Sequence, residues 1–262
     1  MSHVKFVVQS LPRCGAGLVM SALGRHPQCE TRGTAFVGDT PQALETMLAA
    51  GSWKTLFDRC TRVSGQQRAA GFISYRYPPI MQSGMCAKWE WTQTLWRYIS
   101  DKGSNDVRVL SVRRMDPIAR AISAALELFT GVAAARKNSD ALRQYIAARQ
   151  PVTIPPWLFR TMIDEWLTAE TLPQGRAKEL EITYEDTVHA WTATMETVQQ
   201  FLGLDVVELT TPLARLGCVP PHTLVANWDI VMEAFKSTRY EQYFEKYVAY
   251  YLPMYMKQAG GE

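Results

Sequence analysis

The chain has 262 residues, with 28 Lys and Arg against 25 Asp and Glu, a formal net charge of +3. Apolar residues make up 47% and charged residues 20%, a globular composition that excludes a disordered chain. The charge excess is too small for general nucleic-acid binding, although a local basic pocket could hold an anion. No apolar run approaches the roughly 20 residues of a membrane helix, and Met1 to Val8 lacks the long apolar stretch and cleavage site of a signal peptide. A cytoplasmic protein without a transmembrane segment is therefore expected. The five cysteines are scattered, with no C-x-x-C pair and no His at ligand spacing, so neither a zinc site nor a disulfide framework is expected.

Val4 to Val8 is a β-branched and aromatic run that predicts a buried strand. Gln9 to Gly17 reads as loop, and Leu18 to Gly24 as a helix that stops before His26-Pro27. Thr40 and Pro41 suit the N-cap and first position of a helix through Ala50. Gly65 to Gln82 reads as loop around a short strand at Ala70 to Tyr75, and Lys88 to Ser100 as an aromatic helix. Val107 to Val112 predicts a second buried strand, followed by a helix from Asp116-Pro117 to Phe129. A helix over Ser139 to Arg149, a linker over Pro151 to Pro156 and a helix over Trp157 to Glu170 come next. Leu180 to Thr183 predicts a strand, and Glu185 to Leu202 an amphipathic helix whose core stripe is Val188, Trp191, Met195, Val198 and Leu202. Thr210 to Thr223 is irregular. Asn227 to Phe235 and Tyr240 to Leu252 end the chain as helices, with Tyr240, Phe244, Tyr247, Val248 and Tyr251 read as core. Strands alternating with helices imply an α/β fold with a central parallel sheet flanked by helices. The strand over Leu180 to Thr183 lies beyond the proline-rich linker, which favours a single domain over residues 1–262.

Between the first strand and first helix stands Gln9-Ser10-Leu11-Pro12-Arg13-Cys14-Gly15-Ala16-Gly17-Leu18. The first N–H groups of a helix lack intrahelical partners and carry partial positive charge. Gly15 and Gly17 allow close backbone approach to an anion, and Arg13 adds a planar, charged fork for phosphate or sulfate oxygens. Such a loop can cradle a phosphate; it can equally be a tight strand-to-helix turn with a surface arginine. It is not a G-x-x-x-x-G-K-[ST] loop, since no lysine or hydroxyl stands at the required place. Further along, Arg113 and Arg114 close the strand over Val107 to Val112, at the end where open α/β sheets bind ligands. Asp116 and Pro117 suit the start of the next helix. Ile118, Ile122, Leu126 and Phe129 form its buried face, with Arg120, Ser123 and Glu127 on a polar face opposite. An exposed basic corner is the alternative there.

Pro12-Arg13-Cys14-Gly15-Ala16-Gly17-Leu18 followed by His26-Pro27 resembles the 5′-phosphosulfate loop of the PAPS-dependent sulfotransferases. Val109 to Pro117, running on to Ser123, resembles the 3′-phosphate motif of the same family. Ile182-Thr183-Tyr184-Glu185-Asp186-Thr187 with Phe201-Leu202-Gly203-Leu204 looks like its Y-E-D-L and F-L-G-L elements. Asn227-Trp228-Asp229 with Thr238-Arg239-Tyr240-Glu241 is similar to the C-terminal segment of bacterial and carbohydrate sulfotransferases. The resemblance implies a single α/β domain with a P-loop-like nucleotide site. Its activity would be transfer of a sulfonate from PAPS (3′-phosphoadenosine 5′-phosphosulfate) to an acceptor hydroxyl, releasing PAP, without a metal. It places Arg13, Cys14, Gly15, Ala16, Gly17 and Leu18 on the 5′ side, Arg113, Arg114 and Ser123 on the 3′ side, and Tyr184 against adenine.

The chain departs from the family pattern at several positions. Cys14, Ala16 and Gly17 stand where hydroxyl residues are usual, and Met115 intervenes between Arg114 and Asp116-Pro117. Gly33-Thr34 replaces a Gly-Glu whose carboxylate can act as base. Arg13 and Glu30, the nearest carboxylate, are the expected catalytic residues, with His26, Asp39, Glu90 and His222 as further candidates for the base. The expected acceptor is a small molecule, glycan or glycolipid. Lys88-Trp89-Glu90-Trp91, Tyr75 and Tyr77 are available to stack on it, or to pack the core. The alternative is a non-catalytic descendant that binds PAP(S) or another nucleotide and serves as a partner or regulator. A nucleotide kinase is disfavoured by the missing loop lysine.

Overall fold

Val4–Ser10 (β1), Cys29–Thr34 (β2), Ala69–Tyr75 (β3), Val107–Arg113 (β4) and Lys178–Thr183 (β5) pair in parallel as one sheet, in the order β2-β3-β1-β4-β5. The computed structural model describes residues 3–34, 49–75, 89–100, 107–130, 140, 150–170, 178–213 and 220–259. The expected helix over Ser139 to Arg149 lies outside them except at Asp140, and that over Thr40 to Ala50 except at its last two positions. Asp39, Tyr77 and the side chains of Trp89, Glu90 and Trp91 also lie outside them. The chain groups into two compact units, residues 1–113 with 169–211, and residues 114–168 with 212–262. Among the described residues, no helix is long and apolar enough to cross a membrane.

The first unit is an α/β sheet with helices on both faces, as the alternation of elements predicts. Strand side chains alternate between faces, and the two apolar clusters follow that alternation. Phe6 and Val8 of β1 with Leu110 and Val112 of β4 pack against Ala16–Leu23 (α1) and Trp191–Leu202. Val7, Phe72, Val107 and Val109 pack on the other side against Trp53–Cys60 (α2) and Trp89–Ser100 (α3). Strands buried on both faces read as apolar runs, which is why β1 and β4 stand out in the sequence. The polar strand β2, Cys-Glu-Thr-Arg-Gly-Thr, does not, and no strand is expected there from the sequence. It is an edge strand, paired only with β3 among the described residues. Gly71 in β3 is a packing requirement: a Cβ there would lie 2.4 Å from the carbonyl oxygen of Phe6.

The second unit is helical: Pro117–Thr130 (α4), Pro156–Glu170 (α5), Trp228–Phe235 (α8), Glu241–Lys246 (α9) and Leu252–Ala259 (α10), with a 3-10 turn at Pro221–Leu224. The intervening labels α6 and α7 fall to Tyr184–His189 and Trp191–Leu202 of the first unit. The single helix expected over Glu185 to Leu202 is therefore two, broken where Ala190 takes φ −134°. In α7, Met195, Val198 and Leu202 are buried as the stripe predicts, with Trp191 partly buried against them. Tyr240, Phe244 and Tyr247 join the core of the second unit, whereas Val248 is exposed.

Helix α4 departs from its expected faces. Phe129 is 50% exposed, while Arg120, assigned to the polar face, is 1% exposed. Its guanidinium donates to the Met162 carbonyl at 2.7 Å and to Glu165 Oε2 at 3.0 Å. The i, i+3 pattern could not reveal this, because the compensating carboxylate comes from α5. Burial pushes the Glu165 carboxyl above its ordinary range, while the Arg120 charge pulls it back. Removing one partner of such a pair leaves a buried charge uncompensated. Glu165→Ala is expected to cost about 3–5 kcal/mol, and the apolar double replacement Arg120→Met with Glu165→Leu far less. Urea unfolding of the two variants beside the parent chain measures both.

Candidate functional site

The loop after β1 is anchored by Ser10, a buried residue whose hydroxyl donates to the carbonyls of Leu11 at 2.7 Å and Val112 at 2.9 Å. The end of β1 is thereby tied to the end of β4. Beyond this anchor the backbone turns through two left-handed positions, Arg13 at φ 70° and Gly15 at φ 93°. For a non-glycine residue that conformation costs on the order of 1–3 kcal/mol and persists only where the surroundings impose it. Gly15 is the N-cap of α1, and no side chain caps the helix. The helix starts at Ala16, two residues before the expected Leu18, so Ala16, Gly17 and Leu18 form its first turn. Cys14 is 2% exposed and its thiol is directed at the Pro12 carbonyl, 3.9 Å away.

Tyr184 opens α6 directly after β5, where Thr183 and Asp186 form a reciprocal capping box at 3.0 Å in each direction. This fixes the exit of β5 and lays the Tyr184 ring on the loop: a Cβ on Gly15 would stand 2.8 Å from Tyr184 Cδ2. The structure thus brings Tyr184 together with Gly15, a contact the sequence does not show. Arg113, at the end of β4, is ion-paired with Glu181 of β5 at 2.9 Å.

Arg114 opens the second unit and is buried, 7% exposed. Its carbonyl accepts from Trp166 Nε1 at 2.9 Å, and its Nη2 stands 3.5 Å from the Tyr255 hydroxyl. Asp116 is fully buried and caps α4: Oδ1 accepts from the N–H groups of Ile118 and Ala119, both at 3.0 Å. Oδ2 accepts from Tyr255 at 3.1 Å. Ser123 sits half-buried two turns into α4. The aromatic residues around this turn, Trp166, Tyr251 and Tyr255, were not expected there. Of the three, only Tyr251 carries a sequence signal, the helical spacing of the C-terminal aromatics that reads as core.

Glu30, expected as the catalytic carboxylate, belongs to the strand β2. It pairs with Ala70, which pairs with Lys5. It therefore lies five residues short of Ser10 along the strand direction, about 16 Å at the usual rise. Its carboxylate accepts from the Ser64 N–H at 2.7 Å and the Ser64 hydroxyl at 2.9 Å, and it is ion-paired with Arg32. Partial burial pushes its pKa up, but the Ser64 hydrogen bonds and the Arg32 charge outweigh it and hold the carboxyl below its ordinary value. Such a carboxylate is a poor proton acceptor at neutral pH. Glu30 and Arg13 are thus not brought together. His26 is also structural: Nδ1 accepts from the Gln28 N–H at 3.0 Å and Nε2 reaches the Asp205 carbonyl at 2.8 Å. His222, in the second unit, packs its ring near Trp228 and Tyr247, and burial lowers its pKa. Among the described residues, no group of three or more His, Cys, Asp or Glu could hold a metal ion.

No family model matches the chain, and no curated protein matches it. Among solved structures it is similar to a sulfotransferase from Alicyclobacillus acidocaldarius, with 17% identity and a TM-score of 0.44 over 93% of this chain and all of that one. It is also similar to mouse sulfotransferase SULT7A1 complexed with PAP, with 15% identity and a TM-score of 0.36 over 78% of this chain and 60% of that one.

Gly15→Ala is expected to lower stability by about 1–3 kcal/mol through the left-handed backbone alone, with the Tyr184 contact adding to it. Adding Tyr184→Ala should recover only the contact, and denaturant unfolding of the single and double variants separates the two causes. Glu30 gives a pH signature. Its folded pKa lies below the ordinary 4.5, so its stabilising contribution is present above that pH and lost as pH falls through the folded value. The stability difference between the parent chain and Glu30→Gln should therefore shrink from pH 7 to pH 3, measured by urea unfolding.

Proposed function

We propose that the chain is a PAPS-dependent sulfotransferase of bacterial or carbohydrate type, folded as one domain of that family. It would move a sulfonate to a hydroxyl of a small-molecule, glycan or glycolipid acceptor. The observation that carries this reading is the loop after β1: Arg13 and Gly15 both take left-handed backbone directly ahead of a helix that no side chain caps. Turns of this kind aim successive N–H groups at an anion, and the helix N-terminus adds positive potential there. The contact of Tyr184 with Gly15 leaves no room for a Cβ, so the loop backbone stays bare. These features fit a phosphosulfate without the usual loop hydroxyls, because the donors that remain belong to the backbone and to Arg13.

In this reading Arg13 and the first turn of α1, Ala16 to Leu18, hold the 5′-phosphosulfate. Arg114, with Ser123, takes the 3′-phosphate, and Tyr184 takes adenine. Arg113, ion-paired with Glu181 at 2.9 Å, is the further residue of the 3′ side. PAPS supplies the sulfonate. Arg13 and the α1 N–H groups would stabilise negative charge on the departing phosphate oxygen. A non-catalytic PAP binder is the second reading, favoured by Cys14, whose buried thiol replaces a loop hydroxyl.

Isothermal titration tests the nucleotide reading. PAP should bind, and Arg13→Ala should weaken both PAP and AMP, which lacks the 3′-phosphate. Arg114→Ala should weaken PAP alone, each loss being about 1.5–3 kcal/mol. Absence of PAP binding to the folded chain overturns the proposal. Transfer from labelled PAPS across a panel of hydroxyl acceptors then separates enzyme from binder.

A further inference from the structure

The turn Arg114-Met115-Asp116 is held at each of its three residues by an aromatic donor. Trp166 Nε1 donates to the Arg114 carbonyl at 2.9 Å, and the Tyr251 hydroxyl to the Met115 carbonyl at 3.1 Å. The Tyr255 hydroxyl donates to Asp116 Oδ2 at 3.1 Å and faces Arg114 Nη2 at 3.5 Å. Its phenol therefore touches both charges of the turn. Arg114, Asp116 and Tyr255 are 7%, 0% and 6% exposed, so the hydroxyl acts where solvent does not compete for either group.

The helix that supplies these tyrosines is shaped for the task. Between α9 and α10 it widens into a π-helical turn over Tyr247–Tyr251, a feature frequent at functional sites. In a regular α-helix, residues eight apart differ by about 80° around the axis. The wide turn takes up that drift, and the rings of Tyr247 and Tyr255 come within 6.3 Å. Tyr247 also feels the turn: burial raises its hydroxyl pKa, the Asp116 charge adds to this, and Arg114 opposes it.

We propose that Tyr255, backed by Tyr251 and the wide turn, is a positioning residue that sets the Arg114 guanidinium to receive the 3′-phosphate of the nucleotide. The C-terminal helix then belongs to the ligand-recognition machinery as well as to the core. This inference rests on the reading of Arg114 as the 3′-phosphate residue. The Asp116 carboxylate spends Oδ1 on capping α4 and presents Oδ2 to the phenol. The phenol in turn offers its oxygen to the guanidinium, so orientation passes from the helix start to Arg114.

The test is isothermal titration of the full chain and of Tyr255→Phe and Tyr251→Phe, each with PAP and with AMP, thermal unfolding confirming the fold of each. Loss of a packing residue alone would shift both nucleotides equally. Tyr255→Phe is expected to weaken PAP about tenfold with AMP unchanged, and Tyr251→Phe to lower the PAP-to-AMP preference by a smaller factor. A folded Tyr255→Phe with the parental preference overturns the inference while leaving the Arg114 reading intact. A parent chain that does not prefer PAP over AMP overturns the Arg114 reading, and this inference with it. Should Tyr255→Phe not fold, Tyr251→Phe decides: an unchanged preference there is equally fatal.

Discussion

Ser10 gives its hydroxyl to the carbonyls of Leu11 and Val112, and the arrangement of the loop depends on that tie. β1 lies between β3 and β4. From β1 the chain continues to β2 and β3 on one side of the sheet order, whereas β4 leads to β5 on the other. The ends of β1 and β4 therefore mark the place where the strand order reverses, the position at which open α/β sheets take ligands. With the two strand ends locked in register, the next residues must climb, turn and start α1 within a short span. Left-handed backbone at Arg13 and Gly15 achieves this. The ring of Tyr184, fixed by the capping box after β5, closes over the glycine.

The second unit applies the same principle with other materials. The strand that ends at Arg113 hands over to a turn held by side-chain hydrogen bonds from Trp166, Tyr251 and Tyr255. Asp116 spends one carboxylate oxygen on the start of α4 and the other on the C-terminal helix. One turn further along α4, Arg120 reaches into the interior to Met162 and Glu165 of α5. Buried polar groups held in this way define orientation where apolar packing would tolerate several. A charged side chain at such a turn is thus presented by a rigid frame.

Val4 to Val8, Ala70 to Tyr75 and Val107 to Val112 were legible because buried parallel strands are apolar on both faces. Leu180 to Thr183 marks the edge strand β5, largely half-buried or exposed, through its alternating Leu180 and Ile182. β2 was not legible, since an edge strand of Cys, Glu, Thr, Arg and Gly carries no period-2 apolar signal. Without that strand the sequence could not show that Glu30 sits on the edge of the sheet, away from the loop after β1. Asp116 as the cap of α4 was legible from residue type alone, a local matter of one side chain and two N–H groups. The fate of Arg120 was not, because its partners Met162 and Glu165 lie more than forty residues away in the chain. The contact of Tyr184 with Gly15 and the aromatic hold on residues 114–116 are tertiary in the same sense. Cys29 and Cys60 are buried thiols whose pKa values burial pushes up to about 12 and about 11, well away from the reactive range, a consequence of packing that scattered positions in the sequence do not show.

The proposed function assigns the 5′ end of the nucleotide to Arg13 and its 3′ end to Arg114. A crystal structure of the chain with PAP tests it most directly. The account predicts the 5′-phosphate on the N–H groups at the start of α1 with Arg13 beside it, the 3′-phosphate on Arg114, and the adenine near Tyr184. PAP bound away from both arginines, or no PAP in crystals grown at saturating ligand, would contradict it.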